Sequence, residues 1–139
     1  MFQLHERLAA DTHNLGRSRL CEILLMNDRT WPWIILVPAV PDIREIYQLG
    51  KEQQQRLLEE SSTLSQGMME IFGGDKMNVA ALGNMVPQLH CHVVGRFKDD
   101  PAWPGPIWGV GTAEPYDEEA GRDRLAALRA DLISAFKHL

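Results

Sequence analysis

The stretch VPQLHCHVVGRF, residues 86–97, carries two of the five histidines of the chain, one residue apart. Its valines and leucine favour a β-strand, and Pro87 is tolerated only near a strand start, so the sequence predicts a strand over residues 88–94. Side chains alternate across a strand, which puts Gln88, His90 and His92 on one polar face. The opposite face is apolar and consists of Leu89, Cys91 and Val93.

The elements around this strand are predicted from apolar periodicity and from turn residues. In chain order they are a short helix (3–10), two hairpin strands (20–26 and 31–37), a long helix (51–72), a strand (76–82), an extended loop rich in Pro, Gly and Trp (99–115) and a last helix (117–137). Their order is typical of an α+β fold with a meandering antiparallel sheet.

Both long helices carry an apolar stripe at helical spacing, which predicts one buried face on each. The stripe of the first is Leu57, Leu64, Met68 and Ile71, and Gly73 and Gly74 follow it as a stop signal. The stripe of the last is Leu125, Leu128, Leu132 and Phe136.

Length and charge restrict the class of protein and the partners. The chain has 139 residues, so we predict one domain over residues 1–139, with a motif-bearing core at about 20–98 and a C-terminal loop and helix over 99–139. Its 14 basic residues are scattered among 19 acidic ones, for a net charge of -5. Because a nucleic-acid polymer needs clustered cations, a small-molecule ligand is the predicted partner.

The sequence also predicts a cytoplasmic protein without a membrane segment. The N-terminus lacks an apolar signal region, and the longest clean apolar run, residues 33–37, is far too short to span a bilayer. Cys21 and Cys91 are expected to be small buried hydrophobic residues rather than a disulfide or reactive thiols.

The histidine pair has three interpretations at this point. The two imidazoles are polar surface, or they are ligands of a metal, or they act in covalent catalysis at phosphorus. A zinc site needs a third and usually a fourth ligand, and the remaining histidines, His5, His13 and His138, form no recognisable metal motif with them. We therefore predict no metal and no cofactor. A neutral imidazole is a good nucleophile, and a second one can bind a phosphoryl oxygen or the leaving group.

The segment ALGNMVPQLHCHVVGRF, residues 81–97, resembles the signature of the histidine triad (HIT) family, in which a Gly-Gln turn leads to H-φ-H-φ-H-φ-φ. The upstream segment LLMNDRTWPWIILVPAVPDIREIYQL, residues 24–49, is similar to the first hairpin of that family. The resemblance covers residues 20–98. It implies a HIT-like sheet of about five strands, and nucleotide-binding proteins, often homodimers, that react at the α-phosphorus through a nucleotidyl-histidine.

Carried over by position, the resemblance assigns three roles in the signature. His90 takes the position of the nucleophile, with a backbone carbonyl fixing its Nδ1 proton, and His92 that of the histidine beside the phosphate and leaving group. Gln88 takes the position of the first histidine, which orients the nucleophile. Gln can form hydrogen bonds but cannot relay a proton. Trp33 stands where many family members have a further histidine.

The resemblance also implies nucleotide-binding residues, each with a plainer alternative. Asn84 replaces the phosphate-binding Gln, or is only a turn residue. Asn27 or Asp28 occupies a ribose-binding position, or is only the hairpin turn. Asn78 resembles a phosphate-contacting Asn, although its spacing to the Gly-Asn turn is one residue short.

The function expected from these residues is that of a nucleotide hydrolase or nucleotidyl transferase. Nucleoside phosphoramidates and dinucleoside polyphosphates are both open as substrates. The alternative is a catalytically impaired purine-nucleotide-binding or sensing protein, which Gln88 and Trp33 favour. Trp103 and Trp108 in the 99–115 loop are either ordinary aromatic core, a cover for the site, or part of a dimer interface.

Overall fold

The computed structural model describes residues 1–136, without the side chains of residues 132, 133, 135 and 136. The helices and strands, in chain order, are α1 (Glu6–Asp11), β1 (Thr12–Arg17), β2 (Cys21–Met26), β3 (Trp33–Pro38), α2 (Lys51–Phe72), β4 (Lys76–Ala80), β5 (Cys91–Arg96) and α3 (Glu118–Phe136). A short 3-10 helix, Ile46–Gln48, precedes α2.

One five-stranded sheet with the order β1-β2-β3-β5-β4 organises the fold. All four strand pairs are antiparallel, which confirms the predicted α+β class. The order departs from a simple meander at one point, because α2 carries the chain past the sheet edge and β5 then returns between β3 and β4. This return places His92 opposite Ile35 of β3 and Ala80 of β4, in the interior of the sheet.

The sheet is buried on both faces. On one face an aliphatic cluster joins the sheet to α2 and includes Leu36, Leu64, Met68 and Val93. On the other face, α1 and the 99–115 loop cover a cluster that includes Leu8, Trp33, Val94 and Ile107. Of the three interpretations of the histidine pair, polar surface is therefore wrong, because residues far from the strand in sequence cover that face.

The long helix α2 has the predicted bounds. Gly73 ends it in the left-handed conformation, with φ of 66°, and its N–H bonds the Met69 carbonyl. Leu57, Leu64 and Met68 are buried as predicted, whereas Ile71 is 37% exposed, so the prediction was wrong for that last position. Buried Glu60 accepts hydrogen bonds from the Ser18 hydroxyl and the Leu20 N–H, which ties α2 to the β1-β2 turn.

Two strand predictions need correction. Strand β1 was missed because its sequence, THNLGR, is mostly polar and has a bulge between Asn14 and Gly16. The histidine strand begins at Cys91 rather than at residue 88, since pairing with β3 ends at the Leu36–Cys91 pair. Residues 81–90 form the loop between β4 and β5, so His90 lies just outside the sheet.

The C-terminal part follows the prediction closely. Residues 99–115 form turns and extended segments, and α3 begins one residue later than predicted. Leu128 is buried, and Leu125 packs against the aliphatic cluster. The predicted helix end at residue 137, the side chains of Leu132 and Phe136, and His138 lie outside the described part.

Cys21 and Cys91 are both buried and unpaired, as predicted. Burial raises the pKa of Cys91 to about 11 and raises that of Cys21 further, because Glu60 adds negative charge beside it. Within residues 1–136, no helix combines the length and the apolar character that a membrane crossing needs.

Candidate active site

The two histidines of the signature lie side by side on the sheet face that α1 and the 99–115 loop cover. His90 ends the loop before β5 and His92 is the second residue of β5, and each is 6% exposed. Their ring centroids lie 4.9 Å apart with the planes at 68°. The ring of His92 also packs edgewise against Trp108, at 5.3 Å, and lies 5.8 Å from the ring of Trp33. The site is thus a buried cluster of imidazole and indole rings.

A backbone carbonyl two residues upstream determines the tautomer of the His90 ring. Its Nδ1 lies 2.7 Å from the carbonyl oxygen of Gln88. A carbonyl can only accept, so Nδ1 carries a proton and donates it, and in the neutral ring the lone pair is on Nε2. The carbonyl expected beside the nucleophile position is therefore the one two residues upstream.

His92 has the opposite arrangement. The indole Nε1–H of Trp33 donates to His92 Nδ1 at 3.1 Å, so the proton of the neutral ring is on Nε2. Burial, and to a smaller extent the charge of the neighbouring His90, lower the pKa of His92 to about 4. His92 is neutral at pH 7 and presents a hydrogen-bond donor.

Both rings open into a cavity of about 450 Å³. Its walls are mostly apolar, with α1 on one side and residues 107–113 on the other. The polar side chains that line it beside the histidines are Arg7, Asp11, Thr12, Asp28 and Asn84. A second cavity of about 400 Å³ shares Leu82, Gly83 and His90 with the first. The volume of the first cavity suits a small organic ligand.

Gln88 does not line the main cavity. Its side chain holds the N-terminal segment: Oε1 accepts the His5 N–H at 2.8 Å, and Nε2 donates to the Gln3 carbonyl at 2.8 Å. His5 in turn caps α1, which forms one wall of the cavity. The side-chain amide of Gln88 therefore bonds the N-terminal backbone, while the backbone carbonyl of Gln88 bonds His90.

The structure separates the four residues assigned to nucleotide binding. Asn84 and Asp28 line the cavity. The Asp28 carboxylate also accepts the N–H groups of Thr30 and Glu114, and Asn27 accepts the N–H of Tyr116. The β2-β3 turn thus anchors the end of the 99–115 loop and the residue that follows it.

Asn78 is placed elsewhere: it is not among the residues that line the cavity, and its Oδ1 accepts from Arg96 at 2.7 Å. The nucleotide-binding roles of all four residues stay predictions.

Sequence reasoning missed a buried ion pair that supports the cavity wall. Arg96 is 1% exposed and forms two hydrogen bonds with Asp100, of 2.8 and 3.0 Å. Its guanidinium stacks over Trp103 at 5.6 Å, and its hydrogen bonds to the carboxylate hold the pKa of Asp100 well below the usual range. The sequence signal that could have indicated this pair is an arginine at a strand end, four residues before an aspartate. The pair fixes the start of the loop that supplies Trp108.

Across residues 1–136, no group of three His, Cys, Asp or Glu side chains is arranged to hold a metal ion.

Family comparison agrees with the histidine signature. The HIT domain model matches residues 7–99, well over half of the chain and including Gln88, His90 and His92. The chain belongs to the histidine triad family. No curated protein matches this HIT chain.

Three solved HIT structures are similar to the chain over nearly its whole length. A histidine triad protein from Marinobacter aquaeolei VT8 is 67% identical, with a TM-score of 0.92, and the match covers 100% of this chain and 98% of that one. One from Sinorhizobium meliloti 1021 is 44% identical, with a TM-score of 0.90 and 97% of each chain covered. One from Bradyrhizobium japonicum is 42% identical, with a TM-score of 0.90 and coverages of 94% and 98%. These matches confirm the HIT-like fold and extend it beyond residues 7–99.

Proposed function

We propose that this HIT protein is a nucleotide hydrolase or nucleotidyl transferase that reacts at the α-phosphorus through a nucleotidyl-His90 intermediate. The observation that carries the proposal is the state of His90: its Nδ1–H donates to the Gln88 carbonyl, so Nε2 holds a lone pair, and its ring lines the cavity beside His92. A neutral imidazole with a fixed tautomer is a competent nucleophile at neutral pH.

In the first step of this reaction, His90 Nε2 forms a bond to the α-phosphorus and the bond from phosphorus to the leaving group breaks. The electron pair of that bond leaves with the leaving group. His92 Nε2–H and the Asn84 amide line the cavity and can donate hydrogen bonds to the non-bridging oxygens. Such preorganised donors contribute much of the catalysis at phosphorus.

In the second step, water or another acceptor attacks phosphorus and the bond to Nε2 breaks. The electron pair returns to His90, AMP or a new ester is released, and the proton of the attacking water goes to solvent. The ring regains its starting state without rotating, because its Nδ1–H bond to the Gln88 carbonyl persists through both steps.

The cavity supports a nucleoside as the retained half of the substrate. Its walls include the indoles of Trp31, Trp33 and Trp108 and the side chains of Met26 and Val86. Flat aromatic and apolar walls suit a nucleobase, and Asp28, one of the two carboxylates that line the cavity, is available to a ribose hydroxyl.

A second candidate function is binding of a purine nucleotide without turnover. The position of Gln88 favours it, because both ends of its amide bond the N-terminal backbone and neither can relay a proton. This candidate predicts nucleotide binding with no covalent adduct.

Rapid-quench intact mass spectrometry separates the two candidates. Wild-type protein is mixed with adenosine 5′-phosphoramidate or with a dinucleoside polyphosphate, beside His90→Ala and a control, His13→Ala, which removes a histidine outside the cavity. A transient, acid-labile gain of one AMP on wild type and control alone supports the enzyme. Calorimetric nucleotide binding without adduct or AMP release supports the binding protein and overturns the mechanism.

We also propose a single domain over residues 1–139, a cytoplasmic location and a homodimer. The match over 100% of the chain to one histidine triad structure supports the single domain. The tryptophans of the 99–115 loop give no support to a dimer, since Trp103 and Trp108 contact Arg96 and His92 of the same chain. Exposed Val79, at the sheet edge, supports it better. Light scattering coupled to gel filtration tests the dimer.

A further inference from the structure

The hydrogen bond from Trp33 to His92 restricts how His92 can handle a proton. An indole N–H is a donor only, because its nitrogen has no free lone pair. While His92 Nδ1 accepts the hydrogen bond from Trp33 Nε1–H, at 3.1 Å, that nitrogen cannot itself be protonated. A neutral imidazole that gave up its Nε2 proton without gaining one on Nδ1 would become an anion, which is strongly disfavoured in a buried site.

We infer that Trp33 is a positioning residue that holds His92 as a hydrogen-bond donor unable to protonate a leaving group, and that the site is therefore built for adenylyl anhydrides. In such substrates the α-phosphorus is bonded to the oxygen of a carboxylate or phosphate, which departs as a stable anion. The inference rests on the proposed reaction at His90 and adds to it the class of leaving group.

The other groups that face the site do not replace the missing acid. Besides the two histidines, the charged or titratable side chains lining the cavity are Arg7 and Asp11 of α1 and Asp28 of the β2-β3 turn. Arginine stays charged at every physiological pH, and Asp11 pairs with Arg7 as a carboxylate, at 3.5 Å between Nε and Oδ2. Asp28 accepts two backbone N–H groups as a carboxylate. His90 keeps its one proton on Nδ1, directed at the Gln88 carbonyl.

The chemistry differs between anhydride and amide substrates for this reason. When His90 attacks an acyl adenylate, the P–O bond breaks and the carboxylate takes both electrons and needs no proton. When it attacks a phosphoramidate, the P–N bond breaks and the amine must gain a proton as it leaves. A positioned acid contributes about 10²–10⁴-fold to such a step. Only the anhydride reaction is complete with the groups that the cavity supplies.

The kinetic test compares acetyl adenylate with adenosine 5′-phosphoramidate, each as the enhancement over its uncatalysed rate in the same buffer. We expect the wild-type enhancement on acetyl adenylate to exceed that on the phosphoramidate by about 100-fold or more. Trp33→His, whose imidazole can both donate and accept a proton, should raise phosphoramidate hydrolysis by roughly tenfold and change acetyl adenylate hydrolysis less. Equal wild-type enhancements, or a fall of both rates together in Trp33→His, would overturn the inference.

The spectroscopic test needs no turnover. Long-range ¹H–¹⁵N spectra report the tautomer and pKa of His92 in the wild type and in a protein with 3-benzothienylalanine at position 33, which keeps the ring shape but replaces the N–H by sulfur. We expect the Nε2–H tautomer in wild type and a raised pKa of His92 in the isostere. A matched control places the same isostere at Trp31, whose indole N–H meets no acceptor among the described residues, and should leave the His92 signals in place.

The two tests distinguish a failure of this inference from a failure of the proposed function. A wild-type protein with the proton of His92 on Nδ1, or an unchanged pKa in the isostere at position 33, would overturn the positioning role even if both substrates turn over. Absence of turnover on both substrates would overturn the proposed reaction and the substrate class with it, while the spectra would still decide the role of Trp33.

Discussion

The two faces of the sheet carry different kinds of side chain. The face under α2 is filled with aliphatic side chains such as Leu36, Leu64 and Val93, which a regular helix covers. The opposite face carries indole and imidazole rings under a short helix and an irregular loop. The second face encloses a cavity of about 450 Å³, into which both histidine rings open. We infer that α2 stabilises the sheet and that the irregular cover serves the site.

Polar groups on the two faces also differ in what they do. Under α2, Glu60 accepts hydrogen bonds from the β1-β2 turn and so joins two elements. On the cavity face, the partners of His90 and His92 set which nitrogen carries the proton. A hydrogen bond of ordinary strength can thus decide reactivity on one face while it only adds stability on the other.

The largest effect expected on the cavity face is that of His90→Ala. It removes the proposed nucleophile, so we expect AMP release to fall by about 10³-fold or more. The fold should persist, because His90 precedes β5 and the sheet pairing starts at Cys91. Steady-state AMP release and circular dichroism measure the two consequences. Retained activity in a folded variant would remove His90 from the mechanism.

The matching effect on the α2 face is a loss of stability. Leu64 is fully buried in the aliphatic cluster, so Leu64→Ala should lower the free energy of unfolding by about 2–5 kcal/mol. Ile71→Ala is the control, since Ile71 lies on the same helix but is 37% exposed. Urea denaturation measures both variants. Equal losses would show that burial under α2 does not determine stability.

The same contrast explains how much of the molecule was predictable. The bounds of α2 follow from a local pattern, a stripe of apolar residues and a terminal glycine, and they were confirmed. The position of His90 and His92 in one site also follows from alternation along a short segment. Their burial does not, because the residues that cover them, such as Leu8 and Trp108, are distant in sequence.

The partners of the site residues were likewise beyond a reading of the sequence. Nothing local indicates that the amide of Gln88 bonds Gln3 and His5, or that the Trp33 indole bonds His92 across 59 positions. Strand β1 was missed for a related reason: its polar sequence becomes a strand only by pairing with β2. Local periodicity predicted elements, and long-range packing decided their environment.

Buried His92 on the cavity face should make the stability of the protein depend on pH. The pKa of His92 falls to about 4 in the folded protein, from 6.5. Between these values the unfolded chain binds a proton that the folded protein does not, so stability is complete above pH 6.5 and declines as pH falls towards 4. The loss attributable to His92 is at most about 3 kcal/mol.

Urea denaturation at several pH values, in wild type and in His92→Gln, isolates this contribution. The wild type should lose stability between pH 6.5 and 4, and His92→Gln should lose less over the same interval. The pKa of Asp100 is depressed in the folded protein. The stability that Asp100 contributes is therefore lost only at lower pH, below the ordinary pKa of an aspartate. Parallel curves for the two proteins would show that His92 is not buried in its neutral form.

The smallest expected effect concerns the contact between Gln88 and the N-terminal segment. Gln88→Met keeps the length of the side chain but removes both hydrogen bonds to the backbone of residues 3 and 5. The expected loss of stability is about 1–3 kcal/mol, two hydrogen bonds of ordinary strength. Because that segment leads into α1, a wall of the cavity, hydrogen exchange at the His5 N–H should accelerate and KM should rise more than kcat falls.

Gln66→Met is the matched control, because Gln66 is exposed on α2 and bonds only a neighbouring side chain. It should change neither exchange nor KM. If Gln88→Met instead lowered kcat with KM and exchange unchanged, the amide would act on the reacting groups themselves, in the orienting role that the resemblance assigns to this position. The ratio of the two kinetic effects therefore decides whether Gln88 holds the cover of the cavity or belongs to its chemistry.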